Sequence, residues 1–128
     1  MHPFRAAIER GDIDALPALL ARDVVFLSPV AFAPYEGRAA VTAILRAVTR
    51  VFTGFRYVRE IGDGRDHALV FKARVGDREV HGCDFLHHDA SGLIDEFCVM
   101  VRPLSGARAL ADAMAVEFEN VRREMGLA

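Results

Sequence analysis

The hydrophobic period of this chain changes at Gly54, and that change constrains the fold more than any motif. Before it, apolar residues recur at helical spacing. Phe4, Ala7 and Ile8 share one face of a short helix over 4–9 that Gly11 ends, and Val41, Ile44, Leu45, Val48 and Phe52 stripe a helix over 38–52. After it, strand-forming stretches run over 55–61, 67–75, 78–88 and 93–102. Short polar turns separate them: Gly62-Asp63-Gly64-Arg65, Gly76-Asp77 and Asp89-Ala90-Ser91-Gly92. Pro103 stops the last strand. Ser105 then caps a C-terminal helix whose apolar face is Leu110, Met114, Phe118, Val121 and Met125. In the N-terminal part, Asp12 or Asp14 caps a helix through Leu20, and Pro17 lies in its first turn. Val24 to Leu27 form a first strand, closed by Ser28-Pro29, and a loop rich in Pro and Ala runs to Glu36-Gly37. Helices, an antiparallel meander and a last helix make an α+β chain.

Composition bounds the function. A length of 128 residues, 52 % of them hydrophobic and 27 % charged, fits one globular domain over 1–128. A formal net charge of −2 leaves no positive surplus for nucleic acid or for an acidic membrane surface. The two cysteines cannot build a disulfide framework. The N-terminus has no secretory pattern and no apolar run is long enough to span a bilayer, so a cytoplasmic protein is expected. No Gly-x-Gly-x-x-Gly, phosphate loop or Gly-x-Ser-x-Gly occurs, which counts against nucleotide and α/β-hydrolase chemistry.

The last hairpin can be put in register. A four-residue loop over 89–92 sets Cys83 opposite Cys98 and Asp84 opposite Phe97. One face then carries Val80, Gly82, Asp84, Leu86, Asp95, Phe97, Val99 and Val101. The other carries His81, Cys83, Phe85, His87, Ile94, Glu96, Cys98, Met100 and Arg102. Neither face is cleanly polar, so both need cover. The N-terminal helices can cover the first; the C-terminal helix or a second subunit can cover the other.

Six segments follow one another along the chain: Ala7-Ile8-Glu9-Arg10-Gly11-Asp12-Ile13-Asp14-Ala15-Leu16, Asp23-Val24 to Ser28-Pro29, Glu36-Gly37-Arg38-Ala39-Ala40-Val41, Gly82-Cys83-Asp84-Phe85-Leu86, Gly92-Leu93-Ile94 and Val101-Arg102-Pro103-Leu104. In order and spacing they resemble the nuclear transport factor 2-like superfamily, within it the SnoaL-like and ketosteroid-isomerase-like group. The resemblance covers nearly the whole chain. It implies a cone-shaped roll, a strongly curved antiparallel sheet wrapped around the N-terminal helices, with an apolar pocket, a homodimer and an extra C-terminal helix. Residue by residue, a ketosteroid isomerase has an Asp base where this chain has Ser28, and an oxyanion-hole Tyr where it has Phe4. Further pocket tyrosines fall on Leu20 and Leu45, and only the second acid is kept, as Asp84. Serine without a base beside it cannot take a carbon-bound proton, and Phe cannot donate a hydrogen bond. The scaffold is retained and the steroid isomerisation is not.

Asp84 is the central candidate, as an acid or oxyanion donor, because a carboxyl in an apolar wall resists ionisation. Asp95 is a second acid on the same face. Ser28, Tyr35 and Tyr57 are helper donors. Phe4, Ile8, Leu45, Val48, Phe71, Phe97 and Val99 form the apolar wall. A metal is not expected. His81 and His87 point away from Asp84, His87 and His88 point to opposite faces, and no metal-ligand spacing occurs. The expected function is binding of a small, apolar, oxygen-bearing molecule by a cofactor-independent isomerase, cyclase or hydrolase. The alternative is a non-catalytic homodimeric binding or interaction module. The outer face of Cys83, Phe85, Cys98 and Met100 is the expected dimer surface.

Overall fold

The computed structural model describes residues 1–124 and 126. Helix α1 spans Pro3–Arg10. Proline is tolerated at its first position because that N–H has no intrahelical partner, and the His2 ring caps it by accepting the Phe4 N–H at 3.0 Å. Gly11 ends it in the left-handed region, at φ 70°. The helix expected through Leu20 is instead two 3-10 turns, Ile13–Ala15 and Pro17–Leu19. Pro17 has no N–H for the Ile13 carbonyl, so the α-helical ladder fails there. Leu16 bonds back to Ile13 and Leu19 to Leu16.

Strand β1 (Leu20–Leu27) starts earlier than the sequence pattern suggests. The loop that follows hides a two-residue strand, β2 (Tyr35–Glu36), paired to β1 with Val25 opposite Glu36. Helix α2 spans Arg38–Val51. The meander is β3 (Thr53–Asp63), β4 (Asp66–Val75), β5 (Arg78–His88) and β6 (Ile94–Arg102). All six strands form one curved sheet in the order β2-β1-β6-β5-β4-β3, with β1 parallel to β6. Helix α3 spans Leu104–Glu124; Met125 lies outside the described residues.

The β5–β6 register differs from the expected one by two residues: Cys83 faces Met100, Asp84 faces Val99 and Leu86 faces Phe97. One residue of the shift comes from the turn. The Asp89 N–H bonds the Leu93 carbonyl at 2.8 Å, and the Asp89 carboxylate accepts the Ser91 and Leu93 N–H groups. The other comes from an irregularity between His87 and His88. Because side chains alternate with period 2, the shift leaves the faces upstream intact. At the irregularity itself the parity breaks: Ile94 turns inward and is buried, while Asp95 turns to the outer face beside His87. Cys83 and Cys98 are not opposite each other, and both thiols are free.

Helix α3 settles which side of the sheet it covers. Leu110, Met114 and Val121 are buried, and the helix packs on α2, joined by Arg50 Nε to Glu117 Oε2 at 2.9 Å. It therefore closes the concave side. The convex face keeps Phe85 42 % and Met100 58 % exposed.

Candidate functional site

Burial of an acid needs a cause, and here the fold supplies it. Strand β5 alternates, so Val80, Gly82, Asp84 and Leu86 all face inward, and each is buried. Asp84 lies between Leu69 of β4 and Val99 of β6 and is 5 % exposed. Tyr57 reaches it from β3: its hydroxyl donates to Asp84 Oδ2 at 2.8 Å. The pair lines a cavity of about 570 Å³. Desolvation pushes the Asp84 carboxyl up to about 7, against the pull of the Tyr57 hydrogen bond toward ionisation. Burial, and then the neighbouring Asp84 charge, hold the Tyr57 phenol well above its usual 10.

The apolar wall assembles from every layer. Helix α1 contributes Phe4 and Ile8; α2 contributes Leu45 and Val48; the sheet contributes Phe71, Phe97 and Val99. Two aromatic groups flank the acid. Phe4 meets Phe97 edge to face at 5.0 Å, and Phe55 stacks on Phe71 at 4.8 Å. Gly82 makes the second possible. A Cβ there would collide with the Phe71 ring, whose Cε2 would be 2.7 Å away, and with the Met100 carbonyl at 2.8 Å. Leu20, by contrast, is buried in the core.

The other expected residues divide. Ser28 lines the cavity, but its Oγ accepts the Val30 N–H at 3.1 Å and so organises the turn before β2. Tyr35 lines it too, next to Phe118 of α3, and burial raises its phenol. Asp95 is not in the cavity. Its Oδ1 is 2.6 Å from His87 Nδ1 on the outer face, which raises the imidazole's affinity for a proton. Residues that sequence reasoning missed are Glu9, Thr49 and Arg56 among the lining, and Leu110, Ala111 and Met114 of α3. Glu9 is held by Arg5 Nε at 3.1 Å, and Arg56 donates to the Gly54 carbonyl. The α3 stripe was legible as apolar. Its direction toward a cavity rather than a solid core has no sequence signal. Among the described residues, no group of three or more His, Cys, Asp or Glu is arranged to hold a metal ion, and no helix is long and apolar enough to cross a membrane.

A curved sheet closed on one side by helices around a mostly apolar cavity with one buried acid is the architecture of a nuclear transport factor 2-like, ketosteroid-isomerase-like protein. The SnoaL-like domain family matches residues 2–97, and the chain belongs to it. A solved structure of a steroid delta-isomerase from Pseudomonas aeruginosa is 44 % identical over 91 % of this chain and 87 % of its own, with a TM-score of 0.87. An uncharacterised bacterial protein with a cystatin-like fold from Silicibacter pomeroyi is 37 % identical over 98 % of this chain and 92 % of its own, with a TM-score of 0.91. An NTF2-like protein of unknown function from Mesorhizobium loti shares the fold at 22 % identity, over 78 % of this chain and 85 % of its own, with a TM-score of 0.70. No curated protein matches the chain.

Proposed function

We propose that this chain, folded as one domain, binds a small, apolar, oxygen-bearing molecule and moves a proton on it without a cofactor, in isomerase, cyclase or hydrolase chemistry. The observation that carries the reading is the Asp84–Tyr57 pair, 2.8 Å apart and facing an apolar cavity. Tyr57 stays protonated and occupies one Asp84 oxygen. The other oxygen is left for a ligand. With the carboxyl neutral, that oxygen carries the proton and donates to a ligand carbonyl, stabilising charge that develops there. With the carboxyl ionised, it accepts a proton. A group titrating near 7 samples both states at neutral pH.

The steroid delta-isomerase named among the similar structures suggests a direct test. Ser28 and Phe4 stand where a ketosteroid isomerase keeps its base and one oxyanion donor, so a Δ5-3-ketosteroid is expected to bind without turnover. Conversion of that steroid at an enzymatic rate would overturn this part. Mass spectrometry of the denatured, freshly purified protein is expected to release an apolar carbonyl or hydroxyl compound. A second reading, a non-catalytic binding module, is favoured by one observation: among the described residues, the hydrogen-bond partner of Asp84 is a phenol that does not ionise near neutrality.

We place this function in a homodimer formed through the convex face. Leu27, Cys98, Phe85 and Ala68 follow one another across four strands, with Met100, Cys83 and Val70 in the adjoining row. Lys72 and Arg102 stand on the same face as Glu96 and Asp95, so a two-fold copy can match opposite charges around an apolar centre. Two free thiols suit a cytoplasmic setting.

A further inference from the structure

Three histidines from distant parts of the chain meet where α1 begins. His2 caps the helix, His67 stands at the start of β4 and His88 closes β5. Their ring centroids are 5.0 Å (His2–His67), 4.9 Å (His2–His88) and 5.2 Å (His67–His88) apart. The hydrogen bonds assign the tautomers. The Phe4 N–H points at His2 Nδ1, so that nitrogen is bare and His2 carries its proton on Nε2. His2 Nε2 is 2.9 Å from His88 Nε2, which must accept, leaving the His88 proton on Nδ1, 3.2 Å from the Arg65 carbonyl. A chain of neutral groups thus runs from helix amide to ring to ring to carbonyl, with every position filled. One added proton breaks it. On His2 it would sit at Nδ1 and face the Phe4 N–H. On His88 it would sit at Nε2 and face the His2 Nε2–H. Either way a donor meets a donor.

The surrounding charges work in both directions. From β3, Glu60 accepts the His2 backbone N–H at 3.0 Å and faces Arg5 at 3.5 Å. Its charge favours a protonated His2, whereas the rings of His88 and His67 and the α-amino group oppose it. Burial is the largest influence: His2 is 6 % exposed, and the ring is held down to about 4. The same helix start carries Phe4, which packs on Phe97 in the cavity wall.

We propose that His2, seated against His67 and His88, is a pH-operated latch on α1: its neutral ring holds the helix start and its Phe4 against the sheet, and its protonation releases them. The proposal rests on the part α1 plays in the cavity wall and not on the chemistry of Asp84, so either can fail without the other. The direction follows from linkage. A His2 ring that titrates near 6.5 when free and near 4 when docked binds fewer protons in the docked state between those values. Docking is therefore complete above 6.5 and weakens as pH falls toward 4, by up to about tenfold per pH unit.

Native-state amide exchange of the full chain from about pH 7.5 to 5, corrected for intrinsic rates, tests it. Protection of the α1 amides is expected to fall relative to that of β4 and β5 below about pH 6.5. His2→Asn keeps a cap oxygen for the Phe4 N–H and removes the titrating ring, and is expected to flatten that fall. Protection of α1 that tracks the sheet at every pH, or an unchanged fall in the variant, would overturn the latch. If the variant does not fold, the wild-type imidazole signals decide. A depressed His2 titration with the proton on Nε2 supports the latch, and an ordinary one near 6.5 refutes it.

Discussion

The two faces of the β5–β6 hairpin are both mainly apolar at their centres and have opposite fates. The inner face carries Gly82, Asp84, Leu86, Phe97 and Val99; the outer carries Cys83, Phe85, Cys98 and Met100. Phe97 is 1 % exposed and Phe85 is 42 % exposed. Asp84 is desolvated and partnered by a phenol, whereas Asp95, displaced to the outer face, pairs with His87 in a half-exposed position. The comparison teaches that an acid's environment is set by what covers its face of the sheet, here Tyr57 of β3 and the helices that close the cavity, and not by its own strand alone.

The comparison is most easily broken with large apolar side chains. Phe97→Ala removes a ring packed between Phe4 and Phe26 and is expected to cost about 3–5 kcal/mol in chemical denaturation. Phe85→Ala on the monomer should stay nearer 1 kcal/mol. Equal losses would show that the faces are not different in kind. Gly82→Ala is the next largest. Its methyl meets the Phe71 ring and the Met100 carbonyl, an overpacking worth about 1–3 kcal/mol, and the shifted ring should narrow the cavity and weaken uptake of an apolar dye. Its neighbour Cys83→Ala, partly exposed, should change stability by less than about 0.5 kcal/mol.

Asp84→Asn sharpens the electrostatic side of the comparison. The folded carboxyl titrates near 7 and the unfolded one near 3.8, so the folded state holds the extra proton between them. The stability this contributes is fully present below about 4 and is lost as pH rises through 7. Unfolding of the wild type should therefore lose stability from pH 5 to 8 relative to Asp84→Asn, and parallel curves would count against a buried, neutral acid. The smallest expected effect is oligomeric. Met100→Ser with Phe85→Ser should convert a light-scattering dimer to a monomer with little change in the fold, and a wild-type monomer at high concentration would remove the convex face from the proposal.

Much of this was legible in the sequence for a physical reason. Period 2 makes faces robust: a register wrong by two still put Asp84, Phe97 and Val99 on one wall. The same rule failed at Asp95, because it is itself the extra residue of β6 opposite the step from His87 to His88, and that insertion inverts the parity. Pro17 fits the first turn of a helix, which is how the pattern reads it, and period alone could not say that its missing N–H would leave 3-10 turns in place of that helix. Tyr57 could be placed on a strand, but its meeting with Asp84 depends on a register across β3, β4 and β5 with further shifts between Thr53 and Arg59. The histidine cluster joins residues 2, 67 and 88, a proximity that no local pattern encodes, although His2-Pro3 carries the capping half of it.

The central claim is that Asp84 is a carboxyl kept close to neutrality by an apolar cavity and held by Tyr57. Carbon-13 NMR of the aspartate carboxyls across pH, with Tyr57→Phe as the partner experiment, tests it most directly. Asp84 is expected to titrate near 7 in the wild type, and higher when the Tyr57 hydrogen bond is removed. A midpoint near the ordinary 3.8, unmoved by Tyr57→Phe, would contradict the account.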